Sequence, residues 1–528
     1  MRRTPLWQVN EMKTMTRSPP LYFLLALVFT SSNFAVSGAP KRPNILFIMS
    51  DDHTSQAFGV YGSRLAKLNP TPVIDRLAKE GMLFENCFCN NSICTPSRAS
   101  IITGQYSQAN GVLTLRGRIP PARQYLPTLM RKAGYLTAMI GKWHLKEEPA
   151  AFDYYKVLPG QGKYHDPVFR VQGKAKWPKN TVSHKGQHSS DAITDSSLAW
   201  LRVRDKSKPF FLMHHFKAPH DMFDNARRYD TYLDDVEIPE PESLYKLGNH
   251  GSVATRGLND SLLREIGTSV SKRHIQRNMG KHMKVDQSLG DREYTKLSYQ
   301  RYLKRYLRCV KGVDDNVGRL FRYLEAEGLM DKTVIIYTGD QGFMLGEHDY
   351  IDKRWMYEES MRMPLLVRYP SMIKAGSRNN ELVNNTDFAP TILALAGVKT
   401  PNYMQGRSFS EMLRGSVPGD WRTATYYRYW MHMAHHWNPA HFGIRTKKHK
   451  LIFYYGLPIS GKENATLPAW ELYDMEKDPR EMNNVYADPA YALIRTKLKD
   501  ELKRVRGELK EEDTSAAIRE VLEKHWKD

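Results

Sequence analysis

Five consecutive residues, Cys94-Thr95-Pro96-Ser97-Arg98, put a thiol, two hydroxyls and a guanidinium where the chain turns into a helix. Pro96 suits a first helical turn, and Ala99, Ser100, Ile101 and Ile102 continue it. The backbone N–H groups of such a start favour an anion. A solvent-reachable Cys94 beside Arg98 is therefore placed for chemistry on a negatively charged group, the plain alternative being a buried structural thiol. Two acidic clusters lie elsewhere in the sequence, Asp51-Asp52 and Asp340-Gln341. Three carboxylates and an amide oxygen form a hard-oxygen set suited to Ca²⁺, although any one of them alone reads as a solvated loop residue. Lys142 and His144 in Gly141-Lys142-Trp143-His144, His220 after Ala218-Pro219, and Lys353 before Arg354 add loop cations and proton donors.

These groups meet only if the elements carrying them return to one edge. Asn44 to Met49 is a continuous apolar run, fit for a strand buried on both faces, and it ends in the acids Asp51 and Asp52. Thr333 to Tyr337 does the same before Asp340 and Gln341, and Leu136 to Ile140 and Phe210 to His214 are further strand candidates. Helical patterns over Val73 to Glu80, Ser189 to Val203 and about Tyr294 to Gly328 separate them. The alternation predicts an α/β fold, a mostly parallel sheet sandwiched by helices, with ligands beyond the carboxyl ends of the strands. Residues 221–292 read as a polar, irregular insertion over the site. Past about Gly406, short aromatic and β-branched runs (Thr425 to Trp430, Leu451 to Tyr455, Trp470 to Tyr473) predict a smaller C-terminal α+β domain with an antiparallel sheet and a terminal helix.

At 528 residues, with 41% hydrophobic and 11% aromatic content, the chain can bury large cores. Arg2, Arg3, Lys13 and Arg17 precede an apolar run from Leu21 to Phe29, followed by Ser37, Gly38 and Ala39. This is a signal-peptide pattern over residues 1–39, too short for a membrane span. It leaves 40–406 as a catalytic domain and 407–528 as a C-terminal subdomain, with no stable membrane insertion after cleavage. Its removal lowers the net charge from +21 to +18, since four bases and one acid leave. A basic, exported protein suits an extracellular polyanion such as a sulfated glycan better than nucleic acid, for which no basic run with interleaved aromatics stands out. The alternative is that the charge serves solubility. Four cysteines, Cys87, Cys89, Cys94 and Cys309, are too few for a disulfide scaffold.

The order and spacing of these motifs resemble the type I sulfatases over Asn44 to about Asp488, including Glu471-Leu472-Tyr473-Asp474 and Asp478-Pro479. The resemblance implies an alkaline-phosphatase-like fold and conversion of Cys94 to formylglycine by a formylglycine-generating enzyme. It also implies Ca²⁺ held by Asp51, Asp52, Asp340, Gln341 and the modified residue 94. Gln341 departs from the asparagine of many members but keeps an oxygen. Lys142 and Lys353 would contact the sulfate, His144 would position the hydrated aldehyde, and His220 would protonate the leaving oxygen. Leu158 to Gly162 with Tyr164, Asp340 to Phe343, and Gly346-Glu347-His348 look most like the glucosamine-6-sulfatase and mucin-desulfating branch. By that likeness His348, His441 and Arg445 are candidates for holding the sugar, with 6-O-sulfated N-acetylglucosamine the expected unit. The adjacent His435 and His436 suit a structural or substrate role better than a second metal.

The chemistry is coherent. Cleaving a sulfate ester builds charge on the bridging oxygen while a nucleophile approaches an anion, so Arg98, Lys142, Lys353 and the helix start would offset that charge. A hydrated aldehyde can attack through one hydroxyl and expel sulfate through the other, which a serine ester cannot do. Two other readings keep the same chain, a phosphatase or phosphodiesterase of this fold and a non-catalytic binder of sulfated glycans. Export leaves secreted, periplasmic and, in a eukaryote, lysosomal locations.

Overall fold

Ile45, Leu46, Phe47, Ile48 and Met49 have no exposed surface, because the strand they form, Asn44–Ser50, lies in the middle of a large sheet with helices on both sides. The computed structural model describes residues 42–526 except Leu247, Leu263, Ile275, Gln276, Lys462 and Thr514. The expected signal segment 1–39 lies outside the described residues.

Across the sheet the strands run Ser377–Asn379, Met82–Phe88, Arg362–Arg368, Thr333–Gly339, Asn44–Ser50, Phe210–Phe216, Leu136–Lys142, Tyr154–Leu158, Val168–Val171 and Thr181–Ser183. The central neighbours of Asn44–Ser50, which are Phe210–Phe216 and Thr333–Gly339, are both parallel to it. Arg362–Arg368 and the pair at the far edge run antiparallel. The register of Arg362–Arg368 against Met82–Phe88 shifts between Met363 and Leu365, where Pro364 has no N–H to give the ladder. Alternate side chains feed two cores. Leu46 and Ile48 pack with Tyr302, Leu303, Tyr306 and Val310 of the long helix Asp291–Ala326. Ile45, Phe47 and Met49 pack with Ile101 and Ile102 of the helix Cys94–Thr103 and with Phe388 and Ile392. This is the mostly parallel, helix-sandwiched architecture expected from the alternation of patterns.

The helix expected over Val73 to Glu80 is only one turn, Arg76–Lys79. The preceding residues turn instead, because Asp314 on the long helix accepts from the N–H of Val73 at 3.1 Å and of Ile74 at 2.8 Å. Donors held this way form a tertiary cap in place of another helical turn. The insertion is a string of short turns, such as Arg227–Tyr229, Glu242–Leu244 and Met279–His282.

The C-terminal sheet is antiparallel, in the order Ala424–Tyr429, His441–Thr446, His449–Tyr454, Ala469–Asp474. One face, with Tyr426, Phe442, Ile444 and Leu451, lies under the helices Ala492–Glu508 and Ala516–His525. The other, with Tyr427, Tyr429, Ile452 and Tyr454, joins the same core as Trp355, Met356 and Tyr357. The sheet thus braces the segment that carries Lys353. No helix among the described residues is long and apolar enough to cross a membrane.

Candidate active site

Parallel pairing places Ser50 opposite Gly339, so the acids that follow each strand emerge side by side. Asp52 turns back with φ of 66° and its N–H donates to Asp340 Oδ1 at 3.1 Å. The four residues Asp51, Asp52, Asp340 and Gln341 are all without exposed surface, and oxygens of the three acids lie within 4.8 Å of one another. Arg98, one turn into its helix, reaches Asp340 Oδ2 through Nε and a terminal nitrogen, both at 2.9 Å, and Asp51 Oδ1 at 3.4 Å.

Lys142 is the last residue of the strand Leu136–Lys142 rather than a loop residue, and its ammonium donates to Asp51 and to Gln161. Gly141 brings it there: at φ of 109° a Cβ would sit 1.9 Å from the carbonyl oxygen of His215 on the next strand, so only glycine fits. Lys353 donates to both oxygens of Asp52, at 2.6 and 2.5 Å. His220 Nε2 stands 3.8 Å from Asp52, and its Nδ1 is 2.5 Å from Asp221. Cys94 Sγ, an oxygen of Asp51 and a ring nitrogen of His220 fall within 4.8 Å of one another. His144, at φ of 58°, hydrogen-bonds the Cys94 side chain.

Cys94 is therefore at the centre of the cluster, but it is 1% exposed, not solvent-reachable as its sequence position suggested. All ten residues of its helix are buried. Burial alone would raise its thiol, yet Lys142 and Lys353 hold it well below the ordinary range. Burial also works against the Asp51 carboxylate, which Lys142, His220 and Arg98 nonetheless hold well down, while burial and the Asp51 charge push Asp340 up. Burial and the two lysines oppose a charge on His220, but Asp221 and Asp51 prevail and raise it to about 10.

The donor set fits a hard divalent cation. Asp51 Oδ1 and Gln341 Oε1 are buried with no hydrogen-bond partner, although each sits within the carboxylate cluster. Orphaned oxygens among buried like charges are what an oxygen-coordinated ion would satisfy.

A family model for sulfatases matches residues 43–398, and one for the C-terminal region of N-sulphoglucosamine sulphohydrolase matches 346–508. The chain belongs to the sulfatase family. An N-acetylglucosamine-6-O-sulfatase of Bacteroides thetaiotaomicron is 39% identical over 549 aligned residues, covering 96% of this sulfatase and 95% of that protein. The N-acetylglucosamine-6-sulfatase of Capra hircus is 30% identical, covering 74% and 67%. A solved structure of a protein in complex with its substrate, D-glucosamine-2-N,6-O-disulfate, superposes with a TM-score of 0.79 at 38% identity, over 90% of this chain and 99% of that one.

Three residues expected to hold the sugar have other surroundings in this sulfatase. His348 lies flat on His250, ring centres 3.7 Å apart, and is buried. His441 stacks on Tyr427 at 5.6 Å and is fully buried. Arg445 is tied to Glu358 at 2.8 Å, in a network where Lys450 also reaches Glu358 and Glu481. A guanidinium neutralised by a buried carboxylate has little left for a ligand. No contact among the described residues joins these three to Cys94. Closer to it is a group the sequence did not single out. Asp352, next to Lys353, binds Arg354 and is 3.2 Å from His436, while Arg354 Nε and His436 Nδ1 are buried without partners. Asp221 and Gln161 were missed as well. Asp221 had a local signal, an acid directly after a candidate proton donor.

Proposed function

We propose that this sulfatase hydrolyses sulfate esters of carbohydrates, with 6-O-sulfated N-acetylglucosamine as the unit it acts on. The observation that carries the reading is the convergence of Arg98, Lys142, Lys353 and His220 on Cys94 above an all-oxygen carboxylate cluster. The 39% identical N-acetylglucosamine-6-O-sulfatase supports the sugar.

Oxidised to formylglycine by a generating enzyme, residue 94 supplies a hydrated aldehyde as nucleophile, and Ca²⁺ held by Asp51, Asp52, Asp340, Gln341 and residue 94 supplies positive charge beside it. The remaining work belongs to the chain. Arg98 and Lys142 fix the carboxylates and face the sulfate, and Lys353 offsets its charge as the S–O bond lengthens. His220, kept cationic by Asp221, gives its proton to the leaving sugar oxygen. His144 holds one hydroxyl of residue 94. Asp352, Arg354 and His436 present the free polar atoms that would bind sugar hydroxyls, whereas His441 and Arg445 act on the sugar only by bracing them: Tyr427, stacked on His441, donates to the Arg354 carbonyl at 2.7 Å. We also propose that residues 1–39 direct export, with 407–528 as the bracing C-terminal subdomain.

Mass spectrometry of the peptide containing Cys94, from protein co-produced with a formylglycine-generating enzyme, tests the nucleophile. Replacement of sulfur by aldehyde oxygen is expected; a thiol left intact under those conditions contradicts it.

A further inference from the structure

The site described so far accounts for one sulfate and one sugar, but an unspent ring of positive charge lies next to it. The loop after Leu113 runs alongside the loop after Lys142: Ile119 N–H donates to the Leu145 carbonyl at 3.3 Å, and Arg118 donates to Glu147 at 3.0 Å. This pairing carries Arg116 and Lys146 to the same surface, both exposed. Arg118 is matched by Glu147, but neither Arg116 nor Lys146 has a carboxylate partner among the described residues. Lys146 follows His144 by two residues and sits at φ of 65°, in a tight left-handed turn. Burial lowers its ammonium somewhat, and Arg118 and Arg116 lower it further, as expected of cations packed together without an acid.

Arg116 also faces the opposite wall. The exposed His435 imidazole is lowered by burial first and then by Arg354, Arg277 and Arg116, so these groups surround one opening. Arg277 has one ion pair, to Asp221 at 3.6 Å, and its Nε is without a partner. Both walls thus lead inward to residues that touch the cluster, Lys146 through His144 and Arg277 through Asp221. Cations crowded without acids cost free energy in the free protein, and an anion placed between them recovers it.

We infer that Arg116 and Lys146, with Arg277 and His435 opposite, form a second anion subsite that takes another sulfate or a carboxylate of the same glycan. The inference rests on the proposed sugar sulfatase activity and deepens it. This sulfatase would then prefer multiply anionic units over a lone 6-sulfated amino sugar.

The test compares kcat/KM of wild type and of Arg116→Gln, Lys146→Gln and the double variant on two sugars, glucosamine 6-sulfate and glucosamine 2-N,6-O-disulfate. A disaccharide bearing a uronate next to the 6-sulfated unit separates carboxylate from sulfate as the second anion. The preference of wild type for a doubly anionic sugar is expected to fall about 5-fold per charge removed and about 10-fold or more in the double variant, with the difference shrinking in high salt. Preference ratios unchanged by both substitutions overturn the inference. Calorimetry on a Cys94→Ala background measures the same ratios as binding, so they decide the subsite even if wild type cleaves neither sugar, an outcome that sinks the substrate reading alone.

Discussion

His220 is the residue whose role is most exposed to test. Its imidazolium is stabilised by Asp221 at 2.5 Å and lies by the nucleophile, as a donor to the departing oxygen requires. Proton donation matters in proportion to the basicity of the leaving group. His220→Ala is therefore expected to lose about 100-fold or more in kcat on a sugar sulfate but less than about 10-fold on an aryl sulfate, whose phenolate leaves unaided. Equal losses on both would assign His220 to sulfate binding instead. The pieces Cys94 to Arg98, Gly141 to His144, the two acid pairs, His220 and Lys353 were all readable in the sequence because each is a compact local pattern. The sugar-facing residues were not. His348 and Arg445 occur in local patterns just as suggestive, but a sequence does not reveal that His250 lies flat on one or that Glu358 neutralises the other.

At the scale of elements, uninterrupted apolar runs made the central strands legible, and Ser189–Val203 was found to the residue. The failure at Val73 to Glu80 has a single cause, the Asp314 carboxylate, whose sequence separation of 240 residues hides it from any local reading. That carboxylate gives a pH prediction. Burial raises Asp314 to about 7 even though the Ile74 and Val73 N–H groups favour its charge. A carboxyl raised above its unfolded value of about 3.9 stabilises the fold most below that value, and the contribution is lost as pH climbs to 7. Asp314→Asn cannot titrate, so its stability relative to wild type is expected to improve from pH 5 to pH 8 by about 2 kcal/mol or more, read from denaturant midpoints. A difference independent of pH contradicts the raised value. Gly141 belongs to this scale too. Gly141→Ala drives a methyl group into the His215 carbonyl and is expected to cost more than about 2 kcal/mol, seen as a lower thermal midpoint.

For the whole molecule, the C-terminal sheet is a structural partner of the site. Tyr427, Tyr429, Ile452, Tyr454 and Tyr473 share one core with Trp355, Met356 and Tyr357, and Lys450 neutralises Glu358 and Glu481 between them. A chain ended at residue 406 would expose that core and leave Glu358 buried without its cations, a loss larger than the usual net stability of about 5–15 kcal/mol. Residues 40–406 alone are expected to yield no soluble, cooperatively melting protein; a stable fragment would mean the sheet is dispensable for folding. The change of pattern past Gly406 disclosed this sheet, but not that both of its faces are buried. The measurement that bears most directly on the whole account is release of inorganic sulfate from N-acetylglucosamine 6-sulfate by protein matured with a formylglycine-generating enzyme, run beside Cys94→Ala. Turnover by the matured protein that the substitution abolishes is the predicted result. No release, or release that survives the loss of Cys94, would contradict it.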